Sequence, residues 1–419
     1  MRRPLAAALL VPALLLSAAM PAAADLALPG VVSSNPVDFT PHVLDGTVWA
    51  LAVVGDTVVV GGDFTKVTDS RRRQTVNRKN IFAYGLTDGV IRSFAPSVDG
   101  SIYSLAAGAD GTVYAGGAFK TVNRSAQRGV TRFSLASGQR LGAFGAQINW
   151  GDVRTITAVG SRLYLGGTFS SINGVTRAGL ARLDATTGAV DPRFDGKLTA
   201  PGLKRTRVEH LDISPDRRKL VAVGALLRAG GQDRDQIVMY DISGPSAIVQ
   251  NWYTNAYKPA CLPGFDTYLR QVKFAPDGSY FVVAATGRTS APDRLCDSAA
   301  RFETAGAGLH NPTWVQRTGG DSLYAVAVTG AAVYLGGHQR YLDNPQGTDD
   351  HGPGPGAVSR VGIGAVSPVT GKALSWNPTR TRGVGIRAFA VVPNGLIVGS
   401  DTDQLGHEYH GRIGMFPLH

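Results

Sequence analysis

Short apolar runs come in pairs along the chain, and a tight turn separates the two runs of each pair. The first pair covers residues 48–54 and 58–64, is joined by Gly55-Asp56, and ends in Gly61-Gly62-Asp63-Phe64. Turns of this kind contain residues that accept a positive φ, so each pair predicts a β-hairpin.

The hairpin pattern recurs through the whole chain. Clear copies cover 102–119, 153–169 and 323–338, and degenerate copies cover 208–224, 269–284 and 386–400. The starts lie about 51 to 63 residues apart, and two further short segments follow each hairpin. Four strands per unit and seven units predict an all-β, seven-bladed β-propeller with four-stranded blades. Tandem β-sandwiches are the weaker alternative, because they need a period near 100 residues.

The two ends of the chain complement each other. Residues 32–41 resemble the segment that ends at Phe94-Ala95-Pro96 before the second hairpin, whereas the last unit stops after its third strand, at 413–418. The N-terminal segment is therefore predicted to supply the fourth strand of the last blade, which removes exposed sheet edges. A single β-propeller domain is expected over 25–419.

The first 24 residues have the pattern of a secretory signal peptide. Arg2 and Arg3 precede an apolar run over 5–20, and small residues follow at 22–24. A membrane anchor is the weaker alternative, because the run is short and contains Pro12. We therefore expect a secreted protein, extracellular or at the cell surface, with no membrane segment after cleavage. The export route stays open between general secretory and twin-arginine export.

Composition supports a turn-rich β protein. The chain has 53 glycines in 419 residues, 17% charged residues and 43% hydrophobic residues, which excludes a disordered or collagen-like chain. The formal net charge of +11 becomes +9 without Arg2 and Arg3 (11 − 2) and favours an anionic partner rather than nucleic acid. Export predicts a Cys261–Cys296 disulfide, with two buried thiols as the alternative. A monomer is expected.

The strand ends carry a family resemblance. The Gly-Gly-x-Phe ends, together with Asn173-Gly174 and residues 183–188, resemble the delta-60 repeat β-propellers. The C-terminal third, at 319–321, 336–341, 375–378, 399–403 and 412–418, is similar to secreted propeller proteins of actinobacteria. The resemblance implies a propeller over essentially all of the mature chain. It implies no particular activity, because the family has no agreed one.

One residue just inside each first strand is expected to face the central channel. These seven residues are Trp49, Tyr103, Arg154, Glu209, Arg270, Tyr324 and Arg387. Aromatic faces stack on sugars and guanidinium groups pair with carboxylate or phosphate, so the set predicts a ligand-binding surface for an acidic glycan or cell-wall polymer. The alternative is that these side chains pack between blades or pair with one another.

A second candidate site lies in the last two units. His338 and Arg340 stand where other units have the Phe motif, and Asp401 and Asp403 fall at the equivalent place in the next unit. Carboxylates, imidazoles and an arginine predict ligand contacts at the first pair and a metal site at the second. A hydrogen-bonded network that locks the last blades together is the alternative. No cofactor is expected, and calcium binding is the alternative, either here or in the 349–351 loop.

The sequence contains no recognisable catalytic signature. Gly-x-Ser-x-Gly is absent, and His407 and His410 lie one residue too close for the zinc-protease motif. The leading hypothesis is a non-catalytic binding module for an anionic surface glycan or a protein partner. The alternative is a secreted carbohydrate-active hydrolase or lyase with its site on the channel face. A quinone-dependent sugar dehydrogenase is a more distant alternative.

Overall fold

The computed structural model describes residues 26–288, 293–348, 352–379, 381 and 383–418. The expected signal peptide over 1–24 and the loop over 349–351, for which calcium binding is the alternative, lie outside the described residues. Strands, turns and irregular segments make up the described part of the chain, which contains no helix.

Each of the seven repeats forms one antiparallel main sheet within the described residues, with its strands paired in chain order. Sheets 1 to 7 consist of the strands Val48–Val54, Thr57–Gly62 and Ile81–Gly85 (sheet 1); Ile102–Ala107, Thr112–Gly117 and Val130–Ser134 (sheet 2); Val153–Val159, Arg162–Gly167 and Leu180–Asp184 (sheet 3); Arg207–Ile213, Lys219–Ala225, Ile237–Asp241 and Ile248–Val249 (sheet 4); Leu269–Phe274, Tyr280–Ala285, Ser298–Glu303 and Trp314–Arg317 (sheet 5); Leu323–Val328, Val333–Gly337 and Ile363–Val366 (sheet 6); Ala388–Val392, Gly395–Gly399 and Ile413–Pro417 (sheet 7).

Short accessory strands decorate these sheets, mostly between second and third strands. They are Lys66–Thr68 with Thr75–Asn77 and His42–Val43; Thr121–Val122 with Ser125–Ala126; Ser171–Ile172 with Val175–Thr176; Arg228–Ala229 with Gln232–Asp233 and Leu198–Thr199; Tyr341–Leu342 with Val358–Ser359; Gln404–Leu405 with Glu408–Tyr409; and the parallel pair Trp252–Tyr253 with Gly308–Leu309.

The fourth strand is shorter than the sequence predicts. Only sheets 4 and 5 have a fourth strand in the described chain, whereas in sheets 1, 2, 3 and 6 the fourth segment makes one isolated bridge to the third strand. In sheet 3 that bridge joins Leu183 to Val190, and Pro192 follows two residues later. Proline has no N–H for a further ladder bond, so pairing stops there.

The core lies between the sheets. Buried apolar side chains form seven groups in the described chain, and each group contains residues from two consecutive sheets. One group joins sheet 7 to sheet 1 and includes Ile413 and Met415 together with Val48 and Val58. The first strands are arranged in the order of the sheets along the chain. The first strand of each sheet contacts the first strand of the next sheet, and the first strand of sheet 7 contacts that of sheet 1.

The first described residues lie along the last strand of sheet 7. The Ser33 N–H donates to the Pro417 carbonyl at 2.8 Å, and the Val37 N–H donates to the Met415 carbonyl at 2.9 Å. The indole N–H of Trp376, which follows sheet 6, donates to the Ser33 carbonyl at 3.0 Å. The segment before sheet 1 is therefore attached to sheets 6 and 7.

The structure contains the predicted disulfide. Cys261 and Cys296 are bonded, and both are buried in the apolar group between sheets 4 and 5. The bond joins positions 35 residues apart, so it ties the connection that precedes sheet 5 to the start of that sheet's third strand.

Candidate functional site

Register irregularities at the start of the first strands set the direction of the predicted channel residues. In sheets 1 to 6 the pairing skips one residue near the start of the first strand. The skipped residues are Trp49, Tyr103, Arg154, Glu209, Arg270 and Tyr324. A bulged residue has no partner in the ladder and its side chain is re-aimed. In sheet 7 the equivalent residue, Arg387, precedes the first strand, and its N–H donates to the Gly399 carbonyl at 3.0 Å.

The Gly-Gly pairs at the ends of the second strands leave room both for this bulge and for the close packing of neighbouring sheets. In sheet 3, a Cβ on Gly167 would lie 2.2 Å from the Asp152 carbonyl oxygen, beside the bulge. A Cβ on Gly166 would lie 2.7 Å from Cγ1 of Val208 in sheet 4. One glycine therefore makes room for the backbone of its own bulge and the other for the neighbouring sheet.

All seven predicted channel residues line one cavity of about 810 Å³. Its wall includes first-strand residues from all seven main sheets. The structure thus brings the seven residues together, and their role as ligand contacts stays a prediction.

One side of the cavity mouth is a continuous ladder of rings and cations. The guanidinium carbon of Arg154 lies 4.6 Å from the Tyr103 ring centroid, and Tyr103 meets Trp49 edge to face at 5.7 Å. The guanidinium carbon of Arg387 lies 4.8 Å from the Trp49 centroid and 3.8 Å from that of Tyr324. Each contact is a stabilising cation–π or aromatic interaction, so the ladder holds these side chains in fixed positions.

The ladder leaves buried N–H donors without partners among the described residues. They are Nε1 of Trp49, Nε of Arg154 and Nε of Arg387. Burial lowers the pKa of Arg387 below its ordinary value, with Tyr324 and Asp401 opposing that effect. An unmade hydrogen bond on a buried donor is costly, so an oxygen-rich ligand at this position would be stabilised.

The other side of the mouth is a network of ion pairs. The Arg207 guanidinium lies 2.6 Å from the Glu209 carboxylate and 3.2 Å from that of Asp266. Sequence analysis missed Arg207 and Asp266. Arg207 directly precedes Val208 and Glu209, and this position is the only feature of the repeat pattern that could have pointed to Arg207. Asp266 lies in a connection that does not follow the repeat pattern.

Two of the predicted arginines have no carboxylate partner within the described part of the chain. Arg154 pairs with Asp152 at 2.9 Å, but neither Arg270 nor Arg387 lies within ion-pair distance of a carboxylate there. The Arg270 guanidinium donates only to the carbonyls of Thr267 and Leu269, at 3.3 and 3.1 Å. Burial is the main cause that lowers the pKa of Arg270. Arg270 and Arg387 therefore form no ion pair among the described residues, and the charges of Glu209 and Asp401, respectively, only partly offset the effect of burial on their pKa values.

Deeper in the cavity, sheets 4 and 5 supply a polar wall. The Lys273 ammonium lies 3.0 Å from the Asp212 carboxylate, which also accepts the Phe274 N–H at 2.8 Å. Burial, assisted by the charge of Lys273, lowers the pKa of His210 to about 3. His210 is therefore a neutral imidazole at physiological pH. These residues escaped the sequence analysis because they lie beyond the bulge position.

The second candidate site is held together by internal contacts. Arg340 forms a two-pronged ion pair with the buried Asp321, at 2.9 and 3.2 Å. The His338 ring nitrogen Nδ1 lies 2.5 Å from the Gly383 carbonyl, and Asp401 accepts two backbone N–H groups that precede sheet 7, at 2.5 and 3.0 Å. These contacts support the alternative in which this region is a hydrogen-bonded network between the last two units.

The metal prediction at Asp401 and Asp403 gains no support from these contacts. The Asp401 carboxylate accepts the Val384 and Gly385 N–H groups of the segment before sheet 7, and Asp403 is exposed. Within the ranges that the structure describes, no three His, Cys, Asp or Glu side chains gather as metal ligands. The metal role of the two aspartates stays a prediction.

Part of the basic charge serves the repeats themselves. Four arginines occupy equivalent positions before a third strand and donate to backbone carbonyls on both sides of it; they are Arg78, Arg177, Arg234 and Arg360. The sequence also has a basic run, Arg71-Arg72-Arg73, and the guanidinium carbon of Arg72 lies 4.7 Å from the Tyr409 ring centroid. Net charge alone is therefore a weak argument for an anionic partner.

Comparison with known proteins agrees with this architecture. A family model described as a domain of unknown function (DUF5122) beta-propeller matches residues 161–194. The chain is similar to the WD40 beta propeller domain of Doa1, with 11% identity over 91% of this chain and 96% of that chain and a TM-score of 0.52. It is also similar to the computationally designed Ika8 protein, with 13% identity over 92% and 100% of the two chains and a TM-score of 0.49. No curated protein matches.

The family-model match and the similarity to the WD40 propeller, together with the repeated sheets, define an all-β protein with a β-propeller fold. Propellers commonly serve as scaffolds for binding and interaction. No helix in the described residues is long and apolar enough to cross a membrane. The disulfide is consistent with an extracellular protein.

Proposed function

We propose that the chain is a single-domain, seven-bladed propeller over 25–419, in which the seven main sheets are the blades. The N-terminal segment is then the outermost strand of the seventh blade. The apolar group shared by sheets 7 and 1 supports this closure, as do the hydrogen bonds from Ser33 and Val37 to the last strand. We also propose export, which the signal-like sequence of 1–24 and the disulfide support.

We infer that the cavity mouth binds an anionic glycan of the cell surface or cell wall, without catalysis. One observation carries this proposal: Arg270 and Arg387 lie beside an aromatic ladder and have no carboxylate partner among the described residues. A carboxylate, sulfate or phosphate would supply that partner, and a sugar ring would pack against the half-buried aromatic side chains of the ladder.

Titration calorimetry with polygalacturonate and a neutral polysaccharide tests the proposal. Because a hydrogen bond to a charged group is worth about 1.5–3 kcal/mol, Arg387→Ala should weaken binding by about 10-fold or more. Arg193→Ala removes an equal charge from a side chain that is 68% exposed and should leave Kd unchanged. Equal binding of the neutral polymer, or an unchanged Kd for Arg387→Ala, would count against an anion site.

One observation favours the alternative of a carbohydrate-active enzyme. Glu209 and Asp266 approach the same Arg207 guanidinium, so two carboxylates lie close together at the mouth. Paired carboxylates are the usual machinery of glycoside hydrolysis. A reducing-end assay with acidic and neutral polysaccharides tests this function, and any cleavage detected should be lost in Glu209→Gln and in Asp266→Asn. Cleavage that survives both substitutions would place the chemistry elsewhere.

A further inference from the structure

A tryptophan at the rim interrupts the repeat pattern. In repeats 1 to 3 an Asp or Asn accepts two backbone N–H groups from the segment that follows the second strand; these residues are Asp45, Asp99 and Asn149. The first strand starts three residues after Asp45 and Asp99 but four residues after Asn149. The inserted position is next to Asn149 and is occupied by Trp150. Repeats 1 and 2 form the same contact without it, so the fold does not require this residue.

The inserted ring is exposed and held in place. Trp150 is 40% exposed, although large aromatic side chains are usually well buried. Its indole N–H donates to the Ser170 hydroxyl at 3.1 Å, and the Asn149 amide donates to the same hydroxyl at 2.8 Å. The ring is thus a fixed platform.

A cation connects this platform to the cavity. The Arg205 guanidinium carbon lies 4.8 Å from the Trp150 ring centroid, and Arg205 and Lys204 both belong to the cavity lining. Both side chains are exposed, and neither forms an ion pair among the described residues. Positive charge therefore runs from the platform to the mouth, where Arg154 begins the aromatic ladder.

We propose that Trp150, Arg205 and Lys204 form a second subsite for the same ligand, and that the ligand is a chain of several acidic sugars. This inference rests on the proposed function of the mouth. One sugar unit binds at the ladder, and a later unit stacks on Trp150 with its acidic group beside Arg205. The proposal expects a disaccharide to bind at the mouth alone and a longer chain to bind at the platform as well.

Oligogalacturonides of two and of eight units test the subsite by calorimetry. The octamer should bind the wild-type protein more tightly than the dimer. Because an aromatic contact contributes about 0.5–1.5 kcal/mol, Trp150→Ala should weaken octamer binding about 2- to 12-fold and leave dimer binding unchanged. Trp150→Phe should recover most of the loss. Arg205→Ala should weaken octamer binding, and Arg193→Ala is the matched control for charge.

The outcomes separate the two proposals. If the wild-type protein binds neither oligomer, the anion site at the mouth is wrong. If it binds both oligomers equally, or if Trp150→Ala binds the octamer as tightly as the wild type, the mouth site stands and the second subsite is refuted. Matching thermal unfolding of wild type and variants checks that the substitutions act on binding.

Discussion

Gly166 tests the link between the Gly-Gly pairs and the packing of consecutive sheets. In Gly166→Ala the new methyl would lie 2.5 Å from Cγ2 of Thr155 and 2.7 Å from Cγ1 of Val208. Carbon atoms in contact normally lie about 3.5–4.0 Å apart. Sheets 3 and 4 would therefore have to separate by about 1 Å to relieve the contact with Val208, and Thr155 would have to shift within sheet 3. Both neighbours are buried and β-branched, and therefore stiff at χ1. Overpacking of a core typically costs about 1–3 kcal/mol, and we expect the upper half of that range.

Urea unfolding followed by tryptophan fluorescence measures this effect. Gly142→Ala is the matched control, because no atom lies within 4 Å of its added Cβ, and its free energy of unfolding should change by less than about 0.5 kcal/mol. Val208→Ala should partly relieve Gly166→Ala, so the double variant should be more stable than the sum of the two losses predicts. Equal stability of Gly166→Ala and Gly142→Ala, or strict additivity with Val208→Ala, would refute the packing argument.

Three further predictions concern stability. Replacing Cys261 and Cys296 together by serine should lower the free energy of unfolding by about 4 kcal/mol, from loop entropy over a separation of 35 residues; an unchanged urea midpoint would contradict this. Burial lowers the pKa of His42, so the unfolded chain takes up the proton first. Stability should therefore be constant above about pH 6.5 and fall below it, and His42→Gln should reduce that slope in urea titrations at several pH values. Arg340→Ala leaves the Asp321 carboxylate buried without this partner and should lower stability by about 2–3 kcal/mol without changing glycan affinity. A loss of affinity at constant stability would restore Arg340 as a ligand contact.

The repeat register made the channel residues predictable from sequence. Each of Trp49, Tyr103 and Arg154 is the residue after the first apolar residue of its hairpin, so a position deduced in one unit carries over to the next. The register gives the same position the same bulge in sheets 1 to 6, and the bulge directs the side chain at that position toward the cavity. The disulfide was predictable for a simpler reason, since the chain has two cysteines.

The pairing of charges was not predictable, because it depends on segments outside the repeat. Asp266 reaches Arg207 from the long connection between sheets 4 and 5, whose course no repeat specifies. The sequence also predicts fourth strands that are longer than the observed ones. A segment that forms only one bridge before its aromatic residue has the same sequence pattern as a full strand. The roles of individual arginines could not be predicted from the sequence either. Arg177 donates to backbone carbonyls and Arg270 lines the cavity, although both residues contribute the same charge.

The attachment of the N-terminal segment to the last sheet has a consequence for the order of assembly. His42 accepts the Gly411 N–H, and Arg412 donates to the Val43 carbonyl. The partners of each hydrogen bond lie 369 residues apart in the sequence. His42 and Val43 are therefore synthesised long before the residues near 411 with which they make these bonds. Closing so long a loop carries a large entropic cost, and contacts of this kind form late. We expect sheets 2 to 6 to assemble from neighbouring contacts, with the seam between sheets 7 and 1 as the final step of folding and the first interface to open.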